Sequence, residues 1–135
     1  MTFEPVFFER GLTLDTRIEP GLRCMGSPDH LRQVEEILLD NAQKYASSGT
    51  VNVQLEKHGR NHCLLRVSTP GEELSAEERE SIFRRFYRTD KARSTDGSYG
   101  LGLAIARSIL EEHGGKIWCE SGEGRNTFFV QLPAV

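Results

Sequence analysis

The clearest periodicity in the chain starts at Leu31. Leu31, Val34, Ile37, Leu38, Asn41 and Tyr45 recur at helical spacing, so one face stays apolar until it reaches Asn41. Ser27 and Pro28 supply an N-cap and a proline at the first helical position, and Ser47-Ser48-Gly49 supplies a stop. The period then changes. Val51, Val53 and Leu55 alternate with polar residues and Cys63 to Val67 form a more buried run, so His58-Gly59-Arg60-Asn61 reads as the turn of a hairpin. Ser75 to Phe86, with a serine cap and an acidic first turn, predicts a short helix. Arg88 to Gly100 has no period and reads as a mobile loop. Leu101 to His113 is an amphipathic helix closed by Gly114 and Gly115. Lys116 to Glu120 and Asn126 to Leu132 form a last hairpin around Gly122-Glu123-Gly124. Ahead of Gly26, Phe3 to Ile18 suits one or two short strands and Leu22 to Met25 a further one. Helices and hairpin-linked strands in such blocks predict an α+β fold. The expected architecture is a two-layer α/β sandwich in a single domain, residues 1–135, its mixed sheet covered on one face by helices.

Composition narrows the functional classes. A chain of 135 residues, 37% hydrophobic and 27% charged, can bury one core and gives no reason to expect disorder. A net charge of -3 argues against a general nucleic-acid binder, which carries a basic face. No apolar run approaches the roughly 20 residues that cross a bilayer, and Met1-Thr2-Phe3-Glu4-Pro5 does not open a secretory signal. Cys24, Cys63 and Cys119 lack metal-ligand spacing and read as free thiols of a cytoplasmic protein.

Two places could carry chemistry. Gly97-Ser98-Tyr99-Gly100-Leu101-Gly102-Leu103 is glycine-rich with a helix starting inside it. Free backbone N–H groups and the positive end of a helix dipole suit a phosphate chain, although a flexible loop before a helix has the same composition. Asn41 interrupts an apolar helical face. Its amide needs partners there, either nearby backbone or a ligand such as a magnesium ion, which prefers a few protein oxygens plus phosphates and waters. Lys44 and Tyr45, one turn on, could meet a phosphate and a base.

Taken together and in order, these segments resemble a known family. Ile37-Leu38-Leu39-Asp40-Asn41-Ala42-Gln43-Lys44-Tyr45 resembles the N box of bacterial sensor histidine kinases, and Phe83-Arg84-Arg85-Phe86-Tyr87-Arg88 their F box. Thr89-Asp90-Lys91-Ala92-Arg93-Ser94 looks like the start of their ATP lid, and Gly100-Leu101-Gly102-Leu103-Ala104-Ile105-Ala106 like their G2 box. The resemblance implies the Bergerat ATP-binding fold, with ATP and Mg2+ as cofactors. It implies Asn41 on the magnesium ion, Lys44 and Arg88 near phosphate, and Tyr45, Thr69, Gly71 and Thr127 around the adenine. Gly100, Leu101, Gly102 and Leu103 would cradle the phosphates. The implied reaction transfers the ATP γ-phosphate to a histidine on a separate dimerisation hairpin, with a response regulator downstream. The isolated domain is then expected to be a monomer and its parent membrane-anchored. His30, His58, His62 and His113 read as surface or turn residues, none of them the phosphoacceptor.

The pattern is broken in three positions. Where the family's G1 box has Asp-x-Gly-x-Gly, this chain has Thr69-Pro70-Gly71-Glu72-Glu73, so a neutral hydroxyl replaces a carboxylate and Glu73 replaces a glycine. A neutral hydrogen bond in place of a charged one costs on the order of 1 kcal/mol of affinity. Ile37 stands where the family often has a polar residue. These positions support a second reading, a degenerate kinase-like module that binds nucleotide weakly or not at all and works through protein partners.

Overall fold

The computed structural model describes residues 11–24, 26–46, 48–85, 87 and 101–134. Five strands, β1 (Leu12–Ile18), β2 (Gly49–His58), β3 (His62–Pro70), β4 (Lys116–Gly122) and β5 (Arg125–Pro133), form one sheet in the order β1-β2-β3-β5-β4. The β1–β2 pair is parallel and the other three pairs are antiparallel. Three helices accompany it: α1 (Pro28–Tyr45), α2 (Ala76–Ser81) and α3 (Gly102–Glu112). The chain enters α1 through Ser27, whose side chain accepts from the His30 N–H, with Pro28 in the first turn.

Strand periodicity decides which side the helices cover. Val51 and Val53 of β2, Val67 of β3, Cys119 of β4 and Phe128 and Val130 of β5 point to one face. They pack there against Val34, Leu38, Leu39 and Ala42 of α1 and Ala106, Ile109 and Leu110 of α3. Leu38, Leu39 and Leu110 are fully buried, each contributing about 1.5–3 kcal/mol. The intervening residues make the other, open face. There Asp15, Arg17, Gln54, Arg66, Glu120 and Phe129 line a shallow depression, and Trp118 stacks on Phe129 at 5.2 Å. The sheet is therefore mixed and covered on one side, as expected.

Several details depart from the sequence reading. Of Leu22 to Met25, the described part contributes only an isolated bridge from Cys24 to Ala134. Of Phe3 to Ile18, only Leu12–Ile18 is a described strand; the earlier residues, like the loop expected over Arg88 to Gly100, lie outside the described residues. The helix expected from Ser75 to Phe86 stops at Ser81. Its start is a capping box, Ser75 and Glu78 each bonding the other's backbone N–H. Its end tightens into three-residue turns, Arg84 N–H to Ser81 O and Tyr87 N–H to Arg84 O. Phe83 is thereby turned inward, edge-on to Phe128 at 6.2 Å.

His113 does more than end a helix. Its Nε2 accepts the Ser27 N–H at 3.1 Å while its Nδ1 lies 2.7 Å from Ile109 O, an arrangement that places the ring hydrogen on Nδ1. The ring thus ties the C-terminus of α3 to the N-cap of α1. All three cysteines are free. Burial pushes the Cys119 thiol up to about 12, and burial with the adjoining Cys63 thiol pushes Cys24 up to about 11. No helix among the described residues is long and apolar enough to cross a membrane.

Candidate functional site

One stripe of α1 organises the site. At Ile37 it meets the start of α3: a Cβ built on Gly102 would stand 3.3 Å from Ile37 Cγ2, so the glycine lets the two helices touch. Two turns later it meets the end of β3, where a Cβ on Gly71 would stand 3.4 Å from the Tyr45 carbonyl oxygen. Asn41 lies midway along this stripe, which spans about 12 Å at the helical rise. Its side chain is half-buried and has no hydrogen-bond partner among the described residues. The backbone reading of Asn41 therefore finds no support, and its amide oxygen is available to a ligand.

The surrounding polar groups are arranged unequally. Asp40 accepts from Gln43 Nε2 at 3.2 Å and pairs with Lys44 Nζ at 3.1 Å, which holds the lysine one turn beyond Asn41. The pair is about half exposed on the Asp40 side, so it is a weak tether. At α3, Leu101 is the N-cap and makes no side-chain cap bond, and the first turn contains no acidic residue. The amides of Gly102, Leu103 and Ala104 have no partner within the helix, and its positive end suits an anion. Among the described residues no cluster of three His, Cys, Asp or Glu side chains could hold a metal ion. A metal would rest on Asn41, with ligand phosphates and water completing its shell, which is the coordination magnesium favours.

The β3 end of the site is built by β5. Asn126 lies opposite Thr69 in the register, on the helix-covered face. Its Nδ2 donates to Glu72 O at 2.8 Å, and its Oδ1 accepts from Leu74 N at 3.1 Å and from the Ser121 hydroxyl. Gly71 N–H bonds Gly124 O at 3.0 Å, and Glu73 Oε2 takes the Gly124 N–H at 2.9 Å. Residues 71–74 are thus clasped to the β4–β5 turn, where Glu123 and Gly124 both take positive φ. The carboxylate of Glu73 is engaged with that turn.

The family model for histidine kinase-, DNA gyrase B- and HSP90-like ATPases matches residues 26–135. The chain belongs to this ATPase family. Its similarity runs to the sensor-kinase branch. It is 38% identical over 127 residues to the sensor protein VanS of Enterococcus faecium, covering 84% of this chain and 30% of that protein. The mycobacterial sensor histidine kinase MprB superposes with a TM-score of 0.84 at 26% identity, covering 98% of this chain and 89% of that one. The histidine kinase ThkA, solved in complex with the response regulator TrrA, superposes at 0.83 and 26% identity, covering 99% of this chain and 37% of that one. The chain thus spans about a third of the length of the curated relatives it matches, 30% for VanS and 34% for DltS of Streptococcus agalactiae.

Within this ATPase domain the structure gathers most of the residues named from sequence. Asn41, Lys44 and Tyr45 share the α1 stripe, Gly102 abuts it, Leu101 and Leu103 start α3, and Thr69 and Gly71 close the β3 end. Arg88 and Gly100 lie outside the described residues. Thr127 is not gathered. It lies on the open face, its hydroxyl 3.2 Å from Ser68 Oγ, because strand alternation sends it opposite to its neighbour Asn126. The helix-facing place belongs to Asn126, which the sequence reading missed. Parity was the available signal: Asn126, Phe128, Val130 and Leu132 share one side, and Thr127 the other.

Proposed function

We propose that this domain binds Mg-ATP between the α1 stripe, the start of α3 and the β3 end, and serves as the catalytic domain of a sensor histidine kinase. The observation that carries the reading is the half-buried, unpartnered Asn41 amide standing between an uncapped helix N-terminus and a buried, polar sheet end. The amide oxygen suits a magnesium ion, the α3 amides suit phosphate oxygens, and Lys44 adds a cation one turn away. Phosphoryl transfer asks the protein mainly for positioning and charge neutralisation, which such an arrangement supplies. The phosphoacceptor histidine would belong to a dimerisation hairpin elsewhere in the parent. A response regulator would take the phosphate onward, as the ThkA–TrrA complex suggests by similarity. The parent would be membrane-anchored, and the isolated domain would be a monomer.

The alternative, a module acting only through partners, draws on Thr69, Glu73 and Ile37. Two of these find an internal use: Glu73 bonds the β4–β5 turn and Ile37 packs on Gly102. The test is autophosphorylation of the full-length parent with labelled Mg-ATP. The kinase reading expects acid-labile, alkali-stable phosphate on a histidine, lost in Asn41→Ala. A full-length protein that binds its partners yet takes up no label would establish the module reading.

A further inference from the structure

The open face of the sheet, turned away from the α1 stripe, carries a second constellation. The strand registers set Arg17, Gln54, Arg66, Phe129 and Trp118 side by side in one row across all five strands. The first four border a depression of about 610 Å³, a volume that suits a small molecule. Arg66 is its centre. The guanidinium lies 5.8 Å from the Phe129 ring centroid and Trp118 stacks on Phe129 at 5.2 Å, so a cation and two rings form one stack. Glu56, on the same face, holds a single arm of that guanidinium, Nη2 to Oε1 at 3.0 Å. Nε has no partner. It is the one buried side-chain nitrogen or oxygen left so among the described residues. A buried donor without an acceptor is costly, and more so on a cation. Nε–H and Nη2–H make one edge of a planar fork that two oxygens of one anion can fill with parallel bonds, and Glu56 fills half of it.

We infer that this depression is a second ligand site, one that takes a small monocarboxylate with an aromatic body. The ligand carboxylate accepts from Nε and Nη2 of Arg66 together, and Glu56, a third of whose side chain is already exposed, turns into water. The aromatic body lies on the apolar surface of Phe129. The flanking charges set the class. Asp15 and Glu120 line the same depression, and Glu120 is held there by the Trp118 indole N–H at 2.9 Å. With Glu56 alongside, these carboxylates repel phosphate and other multiply charged anions, whereas Arg66 and Arg17 balance a single negative charge. The site is independent of the nucleotide reading, because it uses the other side of the sheet.

The test is a nitrogen-resolved NMR titration of the domain that follows the Arg66 Nε–H and the indole N–H of Trp118, its single tryptophan. The probes are benzoate, its neutral analogue benzamide, and inorganic phosphate. Benzoate should move both signals along one saturating curve with a midpoint of about 1–10 mM. Benzamide and phosphate should bind at least about tenfold more weakly. Arg66→Lys keeps the charge and the attraction to Glu56 but loses the fork. Followed at Trp118, it should weaken benzoate by about tenfold or more with the unfolding midpoint close to wild type. Glu56→Gln frees Nη2 and should tighten benzoate about two- to fivefold. No saturable shift with benzoate up to about 50 mM would overturn the inference. So would an equal response to benzamide, benzoate binding unchanged in Arg66→Lys, or weaker binding in Glu56→Gln.

Discussion

Asn126 is the side chain on which the β3 end of the site depends, and its removal gives a worked test. Asn126→Ala deletes the acceptor of the Leu74 N–H and the Ser121 hydroxyl and the donor to Glu72 O. Glu72 is exposed, so its carbonyl regains water and that loss is small. Leu74 is half-buried and its N–H is left less well solvated. With a typical bond contributing about 0.5–1.5 kcal/mol and a stranded group costing somewhat more, the three losses come to about 2–3 kcal/mol. The bonds share one amide and one loop, so they will not add fully. Urea unfolding should show the midpoint falling with an unchanged slope. Glu73→Ala, which removes one exposed bond to Gly124, should cost no more than about 0.5–1 kcal/mol. The same Asn126→Ala domain should bind Mg-ATP less tightly than Glu73→Ala, because residues 71–74 lose their clasp. A loss below about 0.5 kcal/mol, or one matched by Glu73→Ala, would refute the assignment of Asn126 as the organiser of this end.

Other outcomes follow from the same geometry. Gly115→Ala would place a methyl 2.5 Å from Gln131 O and 3.0 Å from Leu132 Cδ2, so backbone must move; a loss of about 2–3 kcal/mol in denaturant titration is expected. His113→Ala strands the Ser27 N–H and frees the first turn of α1; it should cost about 1–3 kcal/mol and speed hydrogen exchange at Ser27 and His30. Cys119 holds its proton up to about 12, whereas an unfolded thiol ionises near 9.0. Its contribution to stability is complete below pH 9.0 and is lost as the pH rises towards 12, so stability should fall over that range, less steeply in Cys119→Ala. At neutral pH the buried Cys63 and Cys119 should resist a disulfide reagent until the chain unfolds.

Much of this was readable because period and capping agree with the final packing. Ser27-Pro28 and the repeat from Leu31 to Tyr45 give α1 to within a residue, and each hairpin follows from its glycine turn. What escaped the reading required knowledge of sides and partners. Asn126 and Thr127 are adjacent polar residues in one strand, and only the pairing of Phe128 with Val67 shows which faces the helices. The short α2 was over-extended because Phe83 continues an apolar pattern, while the core draws it out of the helix. Glu73 reads as a misplaced anion in one dimension. In three, Gly124 is its partner across 51 positions of sequence. The parallel pairing of β1 with β2 is likewise a product of the crossover through α1, which no local pattern encodes.

Calorimetric titration of the domain with ATP, with and without magnesium and beside Asn41→Ala, tests the central claim most directly. Saturable binding in the micromolar range that needs magnesium and disappears in Asn41→Ala is the predicted result. No heat at about 1 mM ATP, or binding unchanged by Asn41→Ala, would contradict it.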